Sequence, residues 1–237
     1  MKIDLIPWDP DSSEHIERLI AQREQCGWSA EKVRDPWAQW QREGMRSLFW
    51  LVIADESEPN VQEKLAEHFD KNPSYREYLH DTCKAVRLVP RSPTNAKFRP
   101  IGHIALDKES ANGREAGLKP TEDGTYWIGP LYVAWELQSL GIGRAAMDTA
   151  EALVVQPPLN AKALGLDTLA KKHQEDPEYI AAHYEKPPHT TNQGWYERRG
   201  FQVFHSADGI YTGPDRFGKE WHRTAVFLKK SLVATTN

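Results

Sequence analysis

The sequence predicts a fold of the α/β class, and three observations predict it. Residues 126–133 are rich in aromatic and β-branched side chains, which favour a strand. The segment after this strand has apolar residues at three- and four-residue spacings, as in a helix that packs one face on a sheet: Ala146, Met147, Ala150, Leu153 and Val154. Further strand-like and helix-like segments precede and follow this pair along the chain.

The first part of the chain predicts a strand, two helices and a second strand. Asp11, Ser12 and Ser13 provide caps for the first helix, and Gly27 ends it. The second helix runs around Pro36. The predicted segments are a strand at residues 2–8, a helix at 14–25, a helix at 29–46 and a strand at 48–54.

Residues 56–82 are too long for a short hairpin between strands. Helical composition at residues 61–70 and 73–81 predicts a two-helix insertion, for which a lid, a dimerisation surface and plain decoration stay open. The predicted segments that follow are a strand extension at 84–89, a loop at 91–99, a strand at 100–107 and a polar loop at 108–124.

After the central helix, which Pro157-Pro158 ends, a strand is predicted at residues 163–169. Residues 170–188 form a second predicted insertion, with a helical stretch at 177–184. The remaining predicted segments are a helix around residue 196, a strand from 201 to 205, a loop at 207–220, a strand at 221–230 and a loose tail at 234–237.

Composition excludes several functional classes. The 237 residues carry 30 basic and 34 acidic side chains without a long basic block, so nucleic acid is excluded as a partner. No apolar run spans a membrane and no signal-peptide pattern is present, so we expect a soluble cytoplasmic protein without a membrane partner. Cys26 and Cys83 are expected to be free buried thiols, and in the absence of an H-E-x-x-H helix no metal site is predicted.

The turn between the central strand and its helix reads QSLGIGR, residues 138–144. A helix start has backbone N–H groups without helical partners and the positive end of the helix dipole, so it suits an anion. Gly141 and Gly143 lack a Cβ and would let a phosphate approach the backbone. On its own this motif leaves open a plain glycine turn between a strand and a packed helix.

Two motifs in this order resemble the signatures of one family. The segment LYVAWELQSLGIG resembles the acyl-CoA-binding signature of the GCN5-related N-acetyltransferase (GNAT) superfamily, which it matches at Gln138, Gly141 and Gly143. The segment NQGWYERRGF resembles that family's later helix-to-strand signature, which it matches at Asn192, Tyr196, Glu197, Gly200 and Phe201. The chain departs from the family at Trp135 and Ser139, where Pro and Gly are frequent.

The resemblance implies one GNAT-like domain over residues 1–237, with a mixed, mostly antiparallel sheet flanked by helices and helical insertions at 56–82 and 170–188. It implies an N-acetyltransferase that transfers an acetyl group directly from acetyl-CoA to a primary amine, without a metal. The residues that it implies for CoA binding are Leu131, Tyr132, Val133, Gln138, Ser139, Leu140, Gly141, Ile142, Gly143, Arg144, Asn192 and Tyr196. Tyr196 is also implied as the general acid, and the Val133 N–H as the group that polarises the thioester carbonyl.

The sequence leaves the general base, the acceptor and the oligomeric state open. Candidates for the base, each of which also has an ordinary structural explanation, are His103, Asp107, Glu136 and Asp167. A small-molecule amine is favoured over a protein acceptor, and a homodimer is one open arrangement. The alternative function is a catalytically silent acyl-CoA sensor or scaffold. Surface positions are expected for His15, His68, His80 and His205.

Overall fold

A computed structural model describes residues 1–232, and the tail predicted at residues 234–237 lies outside the described residues. The chain divides into two compact units. The first comprises residues 1–107 and 129–160, and the second comprises residues 108–128 and the chain from residue 161 onward. The single domain expected over residues 1–237 stays a prediction.

Within the described residues, seven strands form the main sheet: β1 (Ile3–Pro7), β2 (Arg46–Ile53), β3 (Gly102–Asp107), β4 (Thr125–Val133), β5 (Ala163–Leu169), β6 (Gln202–Pro214) and β7 (Glu220–Ser231). Their order across the sheet is β1-β2-β3-β4-β5-β7-β6. β4 and β5 are parallel, whereas the pairs β1–β2, β2–β3, β5–β7 and β6–β7 are antiparallel. The predicted mixed, mostly antiparallel sheet is therefore confirmed.

The described α-helices are α1 (Ser13–Cys26), α2 (Ala38–Arg42), α3 (Pro59–Lys71), α4 (Ala111–Glu115), α5 (Ile142–Val154), α6 (Lys171–Glu175), α7 (Pro177–His183) and α8 (Asn192–Glu197). A short 3-10 turn, Trp135–Leu137, lies between β4 and α5. None of these helices is long and apolar enough to cross a membrane. Each unit has its own core, centred on Trp8, Trp37 and Trp50 in the first and on Trp127 and Phe227 in the second.

α1 begins and ends as predicted, but its buried face is unusually polar. The Ser12 hydroxyl accepts a hydrogen bond from the first turn, and Gly27 ends the helix in the left-handed conformation. The buried side chains of α1 are His15, Arg18, Leu19, Gln22 and Arg23. Because buried polar groups need partners, α1 brings a hydrogen-bond network as well as apolar area to the sheet.

The single helix predicted at residues 29–46 is wrong. Asp35, directly before Pro36, is extended at φ −156° and ψ 126°, because proline disfavours the helical conformation of the preceding residue. The segment therefore consists of a 3-10 turn (Ala30–Lys32), an irregular turn (Val33–Trp37) and α2.

The second helix predicted in the first insertion is also wrong. α3 confirms the helix predicted at residues 61–70, but residues 73–81 form a 3-10 turn, Pro73–Arg76, and then a short strand, Leu79–His80. This strand pairs with Lys97–Phe98, inside the predicted loop, and a separate hairpin joins Ala85–Val86 to Val89–Pro90. Pairing of the buried Leu79 with the buried Phe98 overrides the local helical composition.

In the second unit, α7 confirms the helical stretch predicted at residues 177–184, whereas α4 and α6 are short helices that we did not predict. The loop predicted at 207–220 is wrong, because β6 continues to Pro214 and pairs with β7. Gly209 lies in this strand with positive φ, within a register shift between Ala207 and Tyr211, whereas Gly213, also at positive φ, pairs with Trp221. Bulges of this kind let glycines stay within a paired strand.

Candidate functional site

The turn before α5 has the geometry of an anion site. Ser139 and Gly141 both have left-handed backbones, with φ values of 70° and 81°, and α5 begins directly after Gly141. Within residues 1–232 no side chain caps this helix start, and its first turn contains no acidic residue. The first N–H groups of α5 therefore point out of the turn without a helical acceptor.

The surface above this turn is open. A Cβ built on Gly141 would meet no described atom within 4 Å, so a ligand has access to the backbone there. Gly143, the second residue of α5, is half-buried, and the Arg144 side chain next to it is exposed. An uncapped helix start, an accessible glycine and a nearby cation are what a phosphate group requires.

Buried apolar side chains hold the turn in place from below. Leu137 and Ile142, on either side of it, are buried. The Gln138 amide donates a hydrogen bond of 3.1 Å to the Val133 carbonyl, which ties the turn back to the end of β4. Ser139 takes the left-handed conformation that glycine adopts more readily, so this departure from the family signature leaves the backbone path intact.

The last residues of β4 offer an edge for an extended ligand. The Ala134 N–H donates to the Ile101 carbonyl, at 3.0 Å, on the side of β3. Since peptide groups alternate direction along a strand, the Val133 and Leu131 peptides point to the opposite side. On that side the pairing of β4 with β5 among the described residues covers Thr125 to Trp127.

Aromatic side chains meet the end of α1 beside this edge. The Tyr132 hydroxyl donates to the Gln25 side-chain carbonyl at 2.9 Å, and the Trp135 indole donates to the Gln25 backbone carbonyl at 3.2 Å. Trp135, which stands where the family frequently has Pro, is 58% exposed. The polar tip of Tyr132 is therefore engaged with α1, while the face of Trp135 is available to a ligand.

Two predicted site residues, Asn192 and Tyr196, lie in the second unit, on α8. The Thr191 hydroxyl caps this helix, and the Asn192 N–H donates to the Gln174 side chain of α6 at 2.7 Å. Tyr196 packs edge-on against Trp195 and Phe201. Burial, with a smaller contribution from Asp167, raises the pKa of Tyr196 to about 12. Its phenol therefore keeps its proton at neutral pH.

Comparison with solved structures identifies the fold. This chain is similar to a protein from Desulfovibrio desulfuricans that is assigned to the GNAT family of acetyltransferases. The similarity covers 98% of this chain and 99% of that protein, with a TM-score of 0.53 and 12% identity. It is similar to the aminoglycoside 6'-N-acetyltransferase from Enterococcus faecium over 100% of both chains, with a TM-score of 0.52 and 10% identity. The chain has the GNAT fold.

A third solved structure, NAA60 from Arabidopsis thaliana in complex with acetyl-CoA, has a TM-score of 0.50 and 15% identity over 97% of this chain and 98% of that one. No family profile matches the sequence, and no curated protein sequence matches it. The identities are low enough that the likeness establishes the fold, while the chemistry depends on the residues themselves.

Three of the four candidate bases in this GNAT fold already make hydrogen bonds within the protein or are fully buried, which the sequence does not reveal. Asp107 accepts two hydrogen bonds from the buried Arg46, at 2.8 and 2.6 Å. Asp167 accepts from Ser110, Asn112 and Tyr211. His103 is fully buried, and burial lowers its pKa well below the ordinary value. None of these three groups is a free base.

The fourth candidate, Glu136, leads to residues that sequence reasoning missed. Its carboxylate accepts a hydrogen bond of 2.9 Å from His68 on α3. The expectation that His15 and His68 lie on the surface is wrong, since both are buried. Isolated histidines give no signal in the sequence, and only the packing of α3 on the turn Trp135–Leu137 brings His68 to Glu136. No group of three metal-ligating side chains occurs in the described part of the chain.

Proposed function

We propose that this chain is an acetyl-CoA-dependent N-acetyltransferase that acts on a primary amine. The observation that carries the proposal is the uncapped start of α5, where Gly141 leaves the backbone open and the first turn of the helix has no acidic side chain. The GNAT fold supports the same assignment, because the solved structures it is similar to include acetyltransferases. One of them is an aminoglycoside acetyltransferase, and the chain is also similar to a spermidine/spermine N-acetyltransferase from Vibrio cholerae, which supports a small amine as acceptor.

The residues of the first unit would hold the acyl donor. The N–H groups at the start of α5, residues 142–144, would bind the CoA pyrophosphate, with the Arg144 cation beside them. The outward peptides of Leu131 and Val133 would pair with the amides of the pantetheine arm. The Val133 N–H would donate to the thioester carbonyl oxygen and stabilise negative charge that develops there.

The reaction requires a nucleophile and two proton transfers. The neutral amine of the acceptor attacks the thioester carbonyl carbon, so that a C–N bond forms and the C–S bond breaks. Tyr196 would donate its phenolic proton to the departing sulfur, and water would accept the proton that the amine loses. A phenol with a pKa of about 12 still carries its proton at neutral pH, which this role requires.

A thiol-release screen tests the proposal. The purified chain is incubated with acetyl-CoA and a panel of primary amines, including aminoglycosides, polyamines and amino sugars, and free CoA is measured. Titration calorimetry with CoA is run in parallel. Amine-dependent thiol release supports the proposal. CoA binding without release on any amine would instead favour a silent acyl-CoA sensor, and the absence of CoA binding would refute the site itself.

A further inference from the structure

The insertion helix α3 belongs to a hydrogen-bond ring that reaches the turn before α5. The ring consists of Glu136, His68, Asn72, Gln25 and Trp135, and we call it the Glu136 ring. All five residues lie in the first unit. Because Trp135 and Glu136 are neighbours in the chain, the bonds form a closed circuit between α3, the end of α1 and the turn Trp135–Leu137.

The bond between His68 and Glu136 is the buried part of the ring. The side chain of His68 is 1% exposed and that of Glu136 is 11% exposed, with 2.9 Å between His68 Nδ1 and the carboxylate. Burial lowers the pKa of His68, so its imidazole is neutral at neutral pH. Burial alone would raise the pKa of Glu136, but the hydrogen bond from His68 and the neighbouring charges hold it below its ordinary value. A neutral imidazole therefore donates its Nδ1 proton to a carboxylate.

The rest of the ring fixes the distance between α3 and α1. The Asn72 amide donates to the His68 carbonyl at 3.0 Å, and the Gln25 amide donates to the Asn72 side-chain oxygen. Gln25 then accepts from Trp135 at its backbone carbonyl and from Tyr132 at its side chain. Each member holds the next, so displacement of α3 would disturb both the end of β4 and the turn Trp135–Leu137.

Glu136 connects this ring to the turn before α5. Glu136 lies two residues before Gln138 and three before Ser139, where the backbone is left-handed. A non-glycine residue in this conformation is strained, and such strain persists only where the surroundings hold it. We propose that His68, acting through Glu136, is a positioning residue that holds the CoA-binding turn in its binding geometry. This inference rests on the proposed function.

The first insertion, residues 56–82, thereby has a role other than the lid, dimerisation surface or plain decoration that its sequence leaves open. α3 contacts the turn that leads into the predicted pyrophosphate site, and the ring includes His68 of α3 and Asn72, which directly follows this helix. Loss of the His68 bond should therefore weaken the binding of the acyl donor more than it slows the chemistry.

Three variants and one control test this. His68→Leu fills a similar volume without a donor, whereas His68→Asn keeps an N–H near the position of Nδ1. Glu136→Ala breaks the same bond from the other side, in case His68→Leu does not fold. Lys64→Ala is the control, because it removes an exposed ion pair with Glu67 on the same helix.

Two measurements are made on each protein. The first compares the change in KM for acetyl-CoA with the change in kcat, and calorimetry gives Kd for CoA. The second is amide hydrogen exchange of the ligand-free protein, followed in peptides that cover residues 135–144. We expect KM and Kd to rise about 10-fold for His68→Leu, which is the loss of one charge-assisted hydrogen bond, with kcat within a factor of about 2. Exchange at residues 135–144 should become faster, and His68→Asn should recover most of both effects.

The outcomes separate this inference from the proposed function. Unchanged Kd and unchanged exchange at residues 135–144 in both His68→Leu and Glu136→Ala would overturn the inference. So would equal effects in Lys64→Ala, or an exchange increase spread evenly over the first unit. A wild-type protein that does not bind CoA would refute the proposed function, and the exchange comparison in the ligand-free protein would still decide whether His68 positions the turn.

Discussion

Gly143→Glu should separate the stability of α5 from its capacity to bind an anion. Gly143 is the second residue of α5 and is half-buried, and the first turn of this helix contains no acidic side chain. Replacing a glycine inside a helix raises the free energy of unfolding by about 0.5 kcal/mol, and a carboxylate near a helix start raises it by about 0.5 kcal/mol more. The variant should therefore be about 1 kcal/mol more stable, with Tm higher by about 2–4 °C.

CoA binding should change in the opposite direction. A carboxylate about 5 Å from a phosphate oxygen repels it by about 3 kcal/mol at an effective dielectric constant of about 20, which corresponds to a loss of affinity of about 100-fold. Calorimetry with CoA measures this change, and thermal unfolding measures the first. Gly143→Gln is the matched control, since it adds a similar volume without charge.

The comparison of these two variants refutes or supports the reasoning. If charge decides, Gly143→Gln should bind CoA more tightly than Gly143→Glu, and the difference between them should shrink as salt is added. Wild-type affinity in a folded Gly143→Glu protein would remove the α5 start as the pyrophosphate site. Loss of both folding and binding in Gly143→Gln would show that the position does not tolerate volume, and Arg144→Gln would then test the charge.

Three further predictions concern single side chains. Tyr196→Phe should lower kcat by about 100-fold at unchanged CoA affinity, whereas near-normal turnover with a lower Tm would make Tyr196 structural. Gln174→Ala should lower the free energy of unfolding by about 2 kcal/mol, because the buried amide bonds Tyr184 and the Asn192 N–H; unchanged stability in urea titrations would contradict this. His103→Asn should reduce the loss of stability at acid pH. The pKa of His103 is depressed in the folded protein, so the contribution of this residue to the free energy of unfolding is full above about pH 6.5 and falls by up to about 1.4 kcal/mol per pH unit below it. An unchanged slope of unfolding free energy against pH would contradict the last of these.

The order of the main-sheet elements could be predicted from the sequence because each strand has a local signal. The central strand is rich in β-branched residues and α5 has clear helical spacing, and the strand predicted at residues 126–133 agrees with β4 within one residue. The predictions that are wrong depend on contacts distant in sequence. Leu79 pairs with Phe98, and β6 continues through glycines because β7 supplies its hydrogen bonds. Local composition contains no information on either partner.

The candidate site likewise has one part that could be predicted from local sequence and one part that could not. The backbone features of the α5 start follow from glycines at fixed spacing, so residues 138–144 could be identified from the sequence. The Glu136 ring could not, because His68 and Glu136 are 68 positions apart and neither belongs to a motif with that spacing. The buried face of α1 was equally hidden: Gln22 and His103 hydrogen-bond at 2.8 Å across 81 positions. Buried polar pairs are specified by the fold rather than by any local pattern.

Because the four candidate bases already make hydrogen bonds within the protein, we can predict how the reaction depends on pH. Asp107 and Asp167 already accept from side-chain donors, and Glu136 accepts from His68. His103 is buried with its Nδ1 on Gln22, and its depressed pKa keeps it neutral throughout the working range.

If none of these groups removes the amine proton, the only titration that controls kcat/KM near neutrality is that of the acceptor itself. The rate should then rise with pH until the acceptor amine is neutral, and the midpoint should move with the pKa of the amine across a series of acceptors. Profiles measured with two amines whose pKa values differ by about 2 units would decide this, because a base on the enzyme gives an inflection that stays at one pH whichever amine is used. An inflection at one pH for both amines would mean that a side chain takes the proton. His68 would then be the first residue to test, since it is the one histidine in the first unit hydrogen-bonded to a carboxylate among the described residues.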